Sequence, residues 1–152
     1  MVLHAFQDVV NKFNITENLI KSFFESMRMD LTDRSHNEET YKKYIFGSAE
    51  VVGLMCLHIF TNGDKDDFNA LEKPAKRLGS AFQKVNFLRD ISEDYQDKGR
   101  SYFPNLDLNK KLNEDDKKII IKDIEDDFSA AYLGIIKLPK TCRFGVTMAY
   151  KY

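Results

Sequence analysis

Apolar residues recur at three- and four-residue spacing along almost the whole chain, and two-residue alternation is hardly seen, which predicts an all-α protein. The first clear run is Ile15, Leu19, Ile20, Phe23, Phe24 and Met27, with Thr16 as N-cap of a helix reaching about Leu31. A polar break covers Thr32 to Asn37. Ser35 and Glu38 have the spacing of a capping box, opening a helix that carries Tyr41 and Tyr44 and enters an apolar run ending at Phe60. Thr61, Asn62, Gly63 and Asp64 signal a turn. A third helical region extends from about Asp67 to Asp97, with Pro74 at the first turn of a fresh helix or at a kink, and Gly99 marks its end. Ser101 to Asn113 reads as a connection. Glu114, Asp115 and Asp116 then place acidic charge at a helix N-terminus, and Ile120, Ile124, Phe128, Ala131 and Ile135 carry that helix toward Pro139. The last pattern, Phe144, Met148 and Tyr152, runs to the final residue, so a continuing polypeptide is expected.

Composition narrows the class. The 152 residues hold 23 Lys+Arg against 24 Asp+Glu, a net charge of -1, which fits one domain and argues against a dedicated nucleic-acid binder. With 43% hydrophobic residues, 31% charged, 3 Pro and 7 Gly, a folded core is expected. Cys56 and Cys142 are unpaired in sequence and too few to staple the chain, which suits a reducing cytoplasmic interior, and Cys56 is read as core. Met1 to Phe6 lacks the features of a signal peptide. Tyr44 to Phe60, interrupted by Glu50, falls short of the ~20 apolar residues a bilayer span needs and reads as a buried helix. His4, His36 and His58 have no metal-ligand spacing, and His58 is read as a core residue.

The densest candidate chemistry lies in Leu78 to Asp97, LGSAFQKVNFLRDISEDYQD. At ~100° per residue, Gly79, Gln83, Asn86, Asp90, Asp94 and Asp97 fall within a sector of roughly 80°, while Leu78, Ala81, Phe82, Val85, Leu88 and Ile91 favour burial. Carboxylates in such a helix are expected to face cations, donors or a watery cavity. Asn86, Asp90 and Asp94, one turn apart, line up oxygens suited to Mg2+, which takes one or two carboxylates, keeps waters and completes its shell from substrate phosphates. The same spacing is also that of an ordinary solvated face. Lys84, Arg89, Lys98 and Arg100 are candidate cations for phosphate oxygens.

QKVNFLRDISED followed by GRSYFP resembles the second aspartate-rich motif of the squalene and phytoene synthases, Q-x-x-N-x-x-R-D-x-x-E-D with a downstream R-x-Y-F/L-P. MRMDL at Met27 to Leu31, Tyr44 with GSAEVVGLM at Gly47 to Met55, RLG at Arg77 to Gly79 and GIIKLP at Gly134 to Pro139 extend the resemblance in order along the chain. It implies an isoprenoid-synthase helical bundle with two aspartate-rich helices around an apolar cavity. The implied reaction is Mg2+-dependent head-to-head condensation of two prenyl diphosphates, geranylgeranyl or farnesyl diphosphate, with phytoene from the former. Asn86, Asp90 and Asp94 match the metal positions, Gln83, Arg89 and Arg100 match positions near the diphosphates, and Tyr44 matches a cavity tyrosine. Lipidic substrates imply loose contact with a membrane surface.

The family's first motif, D-x-x-x-D, has no counterpart in Met1 to Ser26, and the family pattern continues past Tyr152. The chain is therefore read as one partial domain, 1–152, incomplete at both ends: an internal fragment of a longer synthase or a truncated product. Asp123, Asp126 and Asp127 are read as a wet face rather than a replacement motif. Glu50 stands where small residues are common and would narrow the cavity or meet a cation. Gly47, Ser48, Ala49 and Gly53 would line the cavity or permit close helix packing, and Phe82 and Phe87 would shape a product pocket. A terpene cyclase, or a non-catalytic scaffold that kept the fold, are the competing readings.

Overall fold

Helix follows helix along the chain, and among the described residues there is no strand. The computed structural model describes residues 2–32, 36–98, 103–104 and 113–152, with the side chains of 91–98 outside the description. The elements are α1 (Val2–Lys12), α2 (Glu17–Thr32), α3 (Glu38–Ile45), a π-helical turn (Phe46–Glu50), α4 (Val51–Phe60), α5 (Lys65–Lys98), α6 (Glu114–Ile135) and α7 (Lys140–Lys151).

The apolar periods become three packed clusters. Ile15, Leu19, Val51 and Leu54 join α2 to α4, with Val9, Val10 and Phe13 of the α1 end packed against them. Tyr44, Ile45, Phe87 and Phe103 form an aromatic cluster beside α5. Leu57, Leu71 and Leu138 close the third, between α4, α5 and the residues after α6. The apolar run lies within a 23-residue stretch, Glu38–Phe60, long and apolar enough by composition to cross a membrane. In the fold its Tyr44, Ile45, Val51, Leu54 and Leu57 are buried in these clusters.

Three local expectations change. The N-terminal segment, not assigned to any element by periodicity, forms α1. Of the two placements expected for Pro74, the start of a fresh helix is excluded, since Pro74 lies inside the continuous 34-residue α5; its ring packs against Gly134 of α6, where any side chain would collide with it. The capping box belongs to Asn37 and Thr40: the Asn37 Oδ1 accepts the Thr40 N–H at 2.8 Å, and the Thr40 Oγ1 accepts the Asn37 N–H at 2.9 Å. Ser35, the expected cap, lies outside the described residues. The turn after α4 is formed as expected, with Asn62 and Gly63 at φ 52° and 77°, a region glycine enters without steric cost.

Candidate active site

The site is organised where α5 crosses the π-helical turn. Gly79 lies so close to that turn that a Cβ would stand 2.6 Å from the Ala49 carbonyl oxygen and 2.9 Å from its carbon. Both are backbone atoms, so only glycine permits this crossing. Beside it, α4, α5, α6 and α7 line a half-open apolar cavity of about 760 Å³, walled by residues such as Val52, Phe60, Leu78, Phe82, Leu138 and Val146. Ser48, Ala49 and Gly53 line it, whereas Gly47 packs against Ser22 and Ser26 of α2, so the small residues of that segment do both jobs. Cys56 also opens onto the cavity and is exposed, which corrects its reading as core; α4 is apolar on every side, so periodicity could not say which side faces the hollow. Its apolar surroundings push the thiol up.

The polar stripe begins at this rim. Gly79 lines the cavity, and Gln83, Asn86 and Asp90 continue the same face of α5 for ~16 Å along the axis. These three are half-exposed and do not line the apolar cavity itself. Arg89 lies over Asp90, donating from Nε to Oδ1 at 2.6 Å and from Nη2 to Oδ2 at 2.8 Å. Asp94 is on the same helix, but its side chain, like that of Lys98, lies outside the description, and Arg100 lies outside the described residues. Tyr44 does not line the cavity. It is buried in the aromatic cluster, 5.8 Å from the Phe87 ring, and its hydroxyl donates to Asp30 Oδ1 at 2.8 Å. Phe82 lines the cavity as expected, but Phe87 belongs to the core.

A second polar group on α5, which sequence reasoning did not find, faces α6. Asp127 is fully buried, and its carboxylate accepts from Arg77 Nη1 at 2.5 Å, Ser80 Oγ at 2.8 Å and Lys84 Nζ at 2.8 Å. Lys84 also reaches Asp123 at 2.5 Å. Asp127 is therefore no wet face, and Lys84 is committed to α6 instead of a phosphate. The signal was present: Asp127 interrupts the apolar stripe of Ile120, Ile124, Ala131 and Ile135, and a charge inside a core stripe requires a buried partner. Two neighbours feel this network. Burial, then Asp123 and Asp127, push the Tyr41 phenol far above its ordinary value, so it holds its proton. Burial raises the Glu50 carboxyl, opposed first by Lys76 through space; Glu50 does not line the cavity, and Lys76 is paired with Glu72.

Residues 1–132 match the model of the family described as squalene/phytoene synthase. The chain belongs to that family. Among curated relatives, it is 34% identical over 107 residues to phytoene synthase 2, chloroplastic, of Solanum lycopersicum, which covers 68% of this chain and 34% of that protein. It is 29% identical over 110 residues to 4,4'-diapophytoene synthase of Staphylococcus haemolyticus, covering 72% of this chain and 37% of that one. The chain thus spans about a third of the length of these relatives. The fold is that of squalene synthase HpnC from Alicyclobacillus acidocaldarius, with a TM-score of 0.82 at 18% identity over 97% of this chain and 60% of that structure. The expected isoprenoid-synthase helical fold is therefore the one observed.

Proposed function

We propose that the chain supplies one wall of an active site that joins two prenyl diphosphates head to head, with geranylgeranyl diphosphate, rather than farnesyl diphosphate, as the first substrate and phytoene as product. The observation that carries this reading is the adjacency of two unlike surfaces: the oxygen-bearing face of Gln83, Asn86 and Asp90, and the apolar cavity of about 760 Å³ that begins at Gly79 on the same helix face. A diphosphate head and a hydrocarbon tail need that pair of surfaces side by side. In the relatives' names the products are phytoene and diapophytoene, which supports the same class of reaction.

The donor set fits Mg2+. Asn86 and Asp90 offer hard oxygens from neighbouring turns, both half-exposed, and Asp90 is neutralised by the exposed Arg89. We assign Asn86, Asp90 and Asp94 as its holders. Bound there, Mg2+ supplies Lewis-acid stabilisation of charge on the departing diphosphate. Arg89 would turn its two donors from Asp90 to a pair of phosphate oxygens, a bidentate geometry natural to guanidinium, and Gln83 would add its amide. Arg100 is assigned the same phosphate-facing role from its motif. The apolar walls exclude water from the carbocation that diphosphate loss leaves behind. Tyr44, bonded to Asp30, is given no step. A protein of this kind works in the cytoplasm or against a membrane surface, where its substrates reside.

The test is conversion of geranylgeranyl diphosphate to phytoene by the polypeptide that carries this chain, followed chromatographically. Product is expected with Mg2+ and none with chelator, and Asp90→Asn should lower turnover by ~100-fold or more. Wild-type turnover in Asp90→Asn would overturn the assignment.

A further inference from the structure

The two cysteines of the chain, far apart in sequence, meet on one surface. Cys56 on α4 and Cys142 on α7 both wall the half-open apolar cavity of about 760 Å³. Ser48, Val52, Cys56 and Phe60 follow one another at four-residue steps, so Cys56 stands well inside the α4 wall. Among the described residues no charged side chain lines this hollow, and its hydroxyl-bearing residues are Ser48 and Thr141. The thiols are therefore the softest nucleophiles on a surface of hydrocarbon. Their settings differ. Cys56 is exposed, whereas Cys142 is half-buried, packs against the cluster of Leu57, Leu71 and Leu138, and donates from Sγ to the Pro139 carbonyl at 3.3 Å. One turn beyond Cys142, a Cβ on Gly145 would meet nothing within 4 Å, so the wall beside that thiol is recessed. Burial pushes both thiols up, which keeps them protonated at neutral pH and dull toward charged reagents.

We propose that Cys56 and Cys142 form a covalent capture site for long-chain α,β-unsaturated aldehydes, with Cys56 reacting first. Shape and polarity choose the reagent class. A hydrocarbon tail is drawn into the cavity by about fourfold in affinity per buried CH2, and this sets its electrophilic carbon beside the sulfur, which offsets the small thiolate fraction. A short or charged electrophile gains nothing from these walls. The addition needs no oxidant and no second substrate. The sulfur bonds to the β-carbon, the π pair of the C=C bond moves to the α-carbon, and the thiol proton ends there, leaving a saturated aldehyde joined through a thioether. The adduct fills the hollow that a prenyl tail would use, so capture and tail binding exclude one another. That consequence rests on the function proposed above; the capture itself rests on the cavity and its two thiols.

The experiment is peptide mapping by mass spectrometry of the polypeptide that carries this chain, after exposure to trans-2-nonenal, 2-butenal or iodoacetate, with each rate scaled to that of glutathione under the same conditions. On that scale nonenal should modify Cys56 at least ~10-fold faster than the shorter 2-butenal does, and iodoacetate should fall at least ~10-fold below glutathione. Cys142 should follow Cys56 by ~10-fold, and Cys56→Ser should remove the fast adduct. Farnesol, which has a tail and no reactive carbon, should slow the nonenal adduct at least ~5-fold when it saturates the cavity. Equal scaled rates for the two aldehydes, iodoacetate reacting as fast as with glutathione, Cys142 reacting ahead of Cys56, or no protection by farnesol would overturn the proposal. Turnover is not needed for the readout: an adduct with this profile in a polypeptide that makes no phytoene would sink the proposed reaction and uphold the capture site, and phytoene formation without the adduct would do the reverse.

Discussion

On one side of α5, Arg77, Ser80 and Lys84 converge on Asp127, a carboxylate with no exposed surface; on the other, Gln83, Asn86 and Asp90 stand half in water, with Asp90 paired to the exposed Arg89. The two groups are one residue apart in sequence at Gln83 and Lys84, yet they do different work. Around Asp127 every lone pair in use is filled by a donor from the neighbouring helix, so the charge serves to fix α5 against α6. Along the open face the side chains are half-exposed, and the Asp90 carboxylate is paired with Arg89 of its own helix rather than with a neighbouring one. Polarity on a largely apolar helix therefore has two meanings, and what separates them is whether the facing helix supplies the counter-charge.

Substitutions on the two faces should break differently. Asp127→Ala removes the buried carboxylate shared by Arg77, Ser80 and Lys84, leaving Lys84 only Asp123, and should cost about 3–5 kcal/mol in denaturant unfolding; a loss under ~1 kcal/mol would show that the network contributes little. Gly79→Ala tests the crossing at the start of the open face. Its new methyl would meet backbone at 2.6 Å, so α5 must move away from the π-helical turn, at about 1–3 kcal/mol and with a lower melting temperature. An unchanged melt would contradict the close contact.

The smallest effect belongs to Glu50. Its pKa is raised in the folded chain by burial, so its ionised form weakens the fold, and that penalty fades as pH falls and the carboxyl takes a proton. Glu50→Gln should melt slightly higher than wild type near neutral pH, with the gap closing under acid conditions. A lower melt for Glu50→Gln at neutral pH would mean that attraction to Lys76 outweighs desolvation.

Much of this contrast was legible in the sequence. The 3.6-residue period yields α2, α5 and α6, and the Thr61 to Asp64 turn is read from its residue types. The stripe from Gly79 to Asp90 follows from helical geometry. What escaped was set by partners distant in sequence. Asp127 looks like any acidic residue of EDD until Arg77 and Lys84 are brought opposite it, although its place in an apolar stripe was a usable sign. Cys56 and the position of the cavity depend on how α4 meets α7, which an evenly apolar run does not encode. Tyr44 was placed by its motif, and its bond to Asp30 became visible only when α2 met α3. The cap at Asn37 was missed because Thr40 closes the box in place of an acidic side chain.

The central claim is that the open face of α5 binds metal and diphosphate while the face toward α6 holds the fold. Calorimetric titration of inorganic pyrophosphate with Mg2+ into wild type, Asp90→Asn and Asp127→Asn of the polypeptide carrying this chain tests it most directly. Asp90→Asn should lose at least ~10-fold in affinity, and Asp127→Asn should stay within about threefold of wild type. Equal affinity in wild type and Asp90→Asn, or a larger loss in Asp127→Asn, would contradict the account.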